Sequence, residues 1–77
     1  MDIKIVGAGC DKCTDLYNMV VEMTSENNIL ADISKVEGLI EIVTLGVLST
    51  PALMIDGKIL HKGSVPNKKK LAKYLGI

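Results

Sequence analysis

The sequence predicts an α/β fold, a mixed four-stranded sheet covered by helices on both faces in the order β-α-β-α-β-β-α. Three observations predict it. Short β-branched or alternating apolar runs are separated by stretches whose apolar residues recur every three to four positions. Asp56-Gly57 stands between two of the short runs, the strongest two-residue hairpin signal there is. The 77 residues are 48% hydrophobic and interrupted by no linker or repeat, so residues 1–77 read as one domain.

The elements follow in order. Asp2-Ile3-Lys4-Ile5-Val6 alternates and is β-branched, a strand that Gly7-Ala8-Gly9 breaks. Leu16, Met19, Val20 and Met23 then form one apolar stripe of a helix. Asn27-Asn28 is its stop, because Asn tolerates the left-handed conformation that ends helices. Ile29, Ala31 and Ile33 keep step along a second strand that runs from Ile29 to Val36. Val36, Leu39, Ile40 and Val43 repeat the helical spacing, and Gly46 can end that helix. This stripe is expected to face the sheet, like the other two.

Leu53-Met54-Ile55 is a short apolar strand, and Lys58-Ile59-Leu60-His61 pairs back on it across Asp56-Gly57 until Gly63. Asn67 is a candidate N-cap for a last helix that carries Leu71, Ala72 and Leu75. Two strands that flank a helix should be parallel with a right-handed crossover, and the closing hairpin must be antiparallel.

Composition excludes several classes of function. No apolar run approaches the roughly 18 residues of a membrane span, and Met1-Asp2-Ile3-Lys4 lacks the cationic and apolar stretches of a signal peptide. The expectation is a cytoplasmic protein with no membrane partner. Net charge is zero and Arg, which supplies most bidentate phosphate and guanine contacts, is absent, so nucleic acid is not an expected partner. Lys68, Lys69, Lys70 and Lys73 crowd the last helix. They read as an ordinary solvated face, with a docking patch for an acidic partner as the alternative.

The chemistry lies in Cys10-Asp11-Lys12-Cys13, which contains both cysteines and marks the junction of the first strand and the first helix. A thiol at a helix start meets unsatisfied backbone N–H groups and the positive end of the helix dipole, which favour the nucleophilic thiolate. Cys13, one turn further in, is close enough to close a disulfide with Cys10. The pair therefore suits thiol–disulfide exchange, with Cys10 as nucleophile and Cys13 as the resolving thiol. Lys12 should favour the Cys10 thiolate and Asp11 oppose it. Two chance core cysteines and a purely structural disulfide are weaker readings, since so small a loop constrains almost nothing. Structural zinc needs four ligands, and beyond the cysteines only His61, Asp11 and scattered carboxylates are on offer. A soft ion such as Cu(I) needs only the two thiolates, so a Cu(I)-binding module is the serious rival.

Strand, Gly9-Cys10-Asp11-Lys12-Cys13, helix, and then Ser49-Thr50-Pro51 before a strand and hairpin resemble the thioredoxin/glutaredoxin-like superfamily over essentially the whole chain. Thr50-Pro51-Ala52-Leu53-Met54-Ile55-Asp56-Gly57-Lys58 and Gly63 look most like its small archaeal and bacterial redox-active disulfide members. The resemblance implies a thioredoxin-like fold and a protein disulfide oxidoreductase without a cofactor or metal. It implies that Pro51 follows a cis peptide bond and lies against the active-site disulfide, and that Thr50 offers backbone hydrogen bonds to a bound substrate chain. It also implies disulfide-containing protein substrates, a thioredoxin-reductase-type electron donor and a monomeric state. Unlike thioredoxins, the chain has Gly9 in place of a Trp before the pair and Asp11-Lys12 within it. Small heavy-metal-associated domains, which resemble the Cu(I) alternative, run β-α-β-β-α-β. The helical spacing from Val36 to Leu45 and the helical C-terminus depart from that order.

Overall fold

A computed structural model describes residues 1–8 and 11–77. Its elements are β1 (Asp2–Val6), α1 (Asp11–Glu26), β2 (Asp32–Val36), α2 (Leu39–Thr44), β3 (Ala52–Ile55), β4 (Lys58–Lys62) and α3 (Lys68–Leu75). The four strands form one mixed sheet in the order β2-β1-β3-β4. β1 and β2 are parallel, whereas β3 runs antiparallel to both β1 and β4. No helix among the described residues is long and apolar enough to cross a membrane.

Strand alternation divides the core between the two faces of the sheet. Ile3, Ile5, Leu53 and Ile55 point to one face and meet Leu16, Val20 and Met23 of α1 and Leu71 and Leu75 of α3. Val6, Ala52 and Met54 point to the other and meet Val36, Ile42 and Val47 around α2. Every residue of β3 is buried, as befits a central strand covered on both faces. Burying a large aliphatic side chain contributes about 1.5–3 kcal/mol, so these two layers supply most of the favourable term in so small a chain.

The turns are built from local chemistry. Asp56 and Gly57 both have positive φ, 50° and 84°, the backbone that a two-residue hairpin of matching twist requires. The hairpin then departs from simple pairing: Leu53 faces His61 but Met54 faces Ile59, which leaves Leu60 as the extra residue of a bulge. Asn28, with φ 54°, turns the chain out of α1. The side chain of Asn67 accepts a hydrogen bond from the Lys70 backbone N–H at 2.8 Å and caps α3.

Two expectations need correction. The second strand starts at Asp32 and not at Ile29, because its partner β1 begins at Asp2 and the pairing begins there, at Asp2↔Asp32. The second correction concerns the face of α2. Leu39, Ile40 and Val43 are 72%, 83% and 71% exposed, and Ile42 is the residue that packs on the sheet. The predicted stripe counted Val36 as helical, but Val36 ends β2, so the helix starts at a different angle.

Candidate active site

The predicted site residues come from two places far apart in the chain, the start of α1 and the loop that enters β3. Cys10 lies outside the described residues; in the sequence it directly precedes Asp11, where α1 begins. Cys13 stands in the first turn of α1 and is 8% exposed. Asp11 and Lys12 between the two cysteines are exposed. No cysteine among the described residues carries a free thiol.

The second part of the site is the segment Ser49-Thr50-Pro51. The Thr50–Pro51 peptide bond is cis. Pro51 is fully buried and leads directly into β3, whereas Thr50 is exposed. Starting a strand with Pro costs no ladder bond at its own nitrogen, and the Pro51 carbonyl is put to use. It accepts a hydrogen bond from the Gly63 N–H at 2.9 Å, which extends the β3–β4 pairing by one rung beyond Lys62. The Gly63 turn thereby lies against the loop: a Cβ at Gly63 would stand 3.6 Å from the Cβ of Ser49.

Gly7 joins the two parts. It follows β1 and donates its N–H to the carbonyl of Val36 at 2.9 Å, which continues the parallel β1–β2 ladder. A Cβ placed on Gly7 would overlap Cys13 Sγ and stand 3.5 Å from the Cβ atoms of both Cys13 and Thr50. The sheet edge after β1, the first turn of α1 and the loop before β3 thus converge on one point. Cys13 and Thr50 are neighbours across a residue that has no side chain.

Other candidates fall elsewhere. Tyr17 packs against the α1–α3 side of the core, with Lys35 Nζ 4.7 Å from its ring centre. Nδ1 of His61 lies 3.0 Å from the Tyr74 hydroxyl and Nε2 2.9 Å from Ser64 Oγ, so its ring is occupied in joining β4 to α3. Met19 and Met23 belong to the core or its margin. Among the described residues no three His, Cys, Asp or Glu side chains stand together as a metal-binding group. A cleft of about 230 Å³ between α2 and the sheet, lined by Lys4, Val36, Ile40, Glu41, Thr44 and Leu45, holds none of the predicted site residues. The role of Gly7 went unread in the sequence, where it marks only the end of a strand; its placement three residues before Cys10 was the available signal.

Comparison with known proteins gives a consistent result. The model of a thioredoxin-domain family matches residues 1–76. The chain is 32% identical over 75 residues to a protein named thioredoxin from Methanothermobacter thermautotrophicus, with 97% of each chain covered. It is 36% identical over 77 residues to one of the same name from Methanocaldococcus jannaschii, which covers 95% of this chain and 88% of that one.

Proposed function

Because the chain belongs to the thioredoxin-domain family and is accordingly a thiol–disulfide oxidoreductase, we propose that Cys10 and Cys13 carry the exchange, Cys10 attacking and Cys13 resolving. The observation that carries this assignment is the burial of Cys13 beside Thr50. A cysteine only 8% exposed is a poor target for a bulky protein disulfide. It is well placed for an intramolecular step, where a neighbouring thiol acts at an effective concentration far above any free reactant.

The reaction proceeds in two displacements. The Cys10 thiolate attacks one sulfur of a substrate disulfide, a Cys10–substrate bond forms, and the other substrate sulfur leaves as thiolate. Cys13, deprotonated, then attacks Cys10 Sγ; the Cys10–Cys13 bond forms and the second substrate sulfur leaves with its electron pair. Two electrons pass to the substrate and the protein ends oxidised. The backbone N–H groups at the start of α1 favour negative charge at this end of the helix, which supports thiolate chemistry there. Thr50, exposed and next to the buried Pro51, offers backbone to an extended substrate segment. The substrates are protein disulfides, and a thioredoxin-reductase-type donor restores the dithiol in an intracellular, reducing setting.

The test is catalysed reduction of insulin by dithiothreitol with a chelator present, comparing the wild type with Cys10→Ser. Acceleration by the wild type alone assigns the attack to Cys10 and dispenses with metal. If neither protein accelerates the reaction, this assignment fails and the two-thiolate Cu(I) site becomes the better reading.

A further inference from the structure

We propose that Gly7 is the positioning residue for Cys13: the space left by its missing side chain seats the Cys13 sulfur and so sets the rate of the resolving step. The inference rests on the assignment of Cys13 as the resolving thiol. It goes beyond that assignment in naming the residue that holds this thiol where it acts.

Two features of Gly7 separate this role from an ordinary turn. Its backbone is not in the left-handed region, in contrast to Gly46, Gly57, Gly63 and Gly76, all of which have φ near +80°. Alanine could therefore adopt the same backbone, and what Gly7 supplies is room. The room is already used. A methyl group at this position would collide with Cys13 Sγ, and it would stand 3.5 Å from the Cβ atoms of Cys13 and Thr50. Those are ordinary contacts, so among the described residues the sulfur is the atom that must move.

Gly7 itself has little freedom to yield. It is buried, and its N–H is held by the carbonyl of Val36 at 2.9 Å, one rung beyond the β1–β2 ladder. Cys13 is likewise fixed by its place in α1, so relief comes from rotating its sulfur away from β1 or from displacing the first turn. Either movement shifts the Cys13 sulfur, the atom that makes the resolving attack. Displacement at sulfur needs an in-line geometry, and a misplacement of about 1 Å can cost on the order of a hundredfold in rate. The first displacement uses only Cys10 and the substrate, so it should be spared.

A symmetric aromatic disulfide, 5,5′-dithiobis(2-nitrobenzoate), separates the two steps in one experiment. The Cys10 thiolate releases one coloured thiolate as it forms the mixed disulfide, and Cys13 releases the second as it resolves it. Both phases are followed by stopped-flow absorbance on the reduced wild type, Gly7→Ala and Cys13→Ser. For Gly7→Ala we expect a first phase within twofold of the wild type and a second phase at least tenfold slower, with the adduct visible by intact mass. An unchanged second phase in a folded Gly7→Ala overturns the proposal. The parent assignment fails separately if the wild type releases no second equivalent, or if Cys13→Ser still releases it. Should Gly7→Ala not fold, Gly7→Ala is introduced into Cys13→Ala, which lacks the colliding sulfur. Recovery of a cooperative thermal transition in the double variant supports the seat, and its absence overturns it.

Discussion

Nδ1 of His61 lies 3.0 Å from the hydroxyl of Tyr74, and the two rings tilt at 50° with centres 5.7 Å apart. This contact ties the outer strand β4 to α3, which otherwise rests on α1 and the sheet through Leu71 and Leu75. Nε2 of the same ring lies 2.9 Å from Ser64 Oγ, on the turn just past Gly63. Tyr74→Phe keeps the ring packing and removes only the hydroxyl. It should lower stability by about 0.5–1.5 kcal/mol, the usual net worth of one hydrogen bond. In a chain this small that amounts to a Tm lowered by roughly 4–8 °C per kcal/mol. A thermal melt of Tyr74→Phe that superimposes on the wild type would show that the hydroxyl does not hold β4 to α3.

The two faces of α2 make a sharper contrast. Ile42 is 7% exposed and packs with Val6, Val36, Val47, Ala52 and Met54, whereas the adjacent Val43 is 71% exposed. Ile42→Ala should cost about 2–5 kcal/mol, because it removes buried methyl groups and leaves a cavity. Val43→Ala should stay within about 0.5 kcal/mol, as surface substitutions do. Urea titrations of both variants decide the matter, and equal midpoints would mean that the face of α2 is wrongly assigned.

That contrast also shows where sequence reading has its limits. The strand Asp2–Val6, the Asp56-Gly57 hairpin and the Asn67 cap were legible because each depends on residues within a few positions of one another. The face of α2 was not legible. A helix of six residues turns fewer than two times, so counting Val36 into its stripe shifts every later residue to the wrong side. Leu39, Ile40 and Val43 keep a helical period but stay exposed and outside the core on that face of the sheet. At the site, the cysteine spacing and Thr50-Pro51 name the candidate residues we propose for the exchange and the loop that enters β3. Cys13 and Thr50 flank Gly7 although they are 37 positions apart, and no local pattern encodes that placement.

The start of α3 carries an electrostatic conflict that a single substitution should relieve. Lys68, Lys69 and Lys70 fill its first turn, where no acid is present, at the end where the helix dipole is already positive. Asn67 satisfies the Lys70 N–H but brings no charge. Asn67→Ala should lose about 0.5–2 kcal/mol with the cap. Asn67→Asp should keep the cap and gain about 0.3–1 kcal/mol at low ionic strength, the gain shrinking as salt is added. Denaturation of the three proteins at low and high salt checks both signs. A stabilisation by Asp that ignores salt would rule out the dipole and the lysines as its origin.

Reactivity at the cysteine pair should depend on pH in a direction that follows from α1. The helix begins at Asp11, directly after Cys10 in the sequence, and its first N–H groups favour an anion at that end. In the reduced Cys13→Ser variant, alkylation by iodoacetamide reports Cys10 alone, and its rate should rise with pH through a midpoint below the free-thiol value of about 8.5. The sign of each neighbour follows from its charge: Lys12→Gln removes a cation and should raise the midpoint, while Asp11→Asn removes an anion and should lower it. Both side chains are exposed, so both effects should shrink at high ionic strength. The part contributed by the helix N–H groups comes from fixed backbone dipoles and should persist in salt. A midpoint at or above about 8.5 in high salt would therefore remove the helix start as the activator and leave only the flanking charges to tune the thiol.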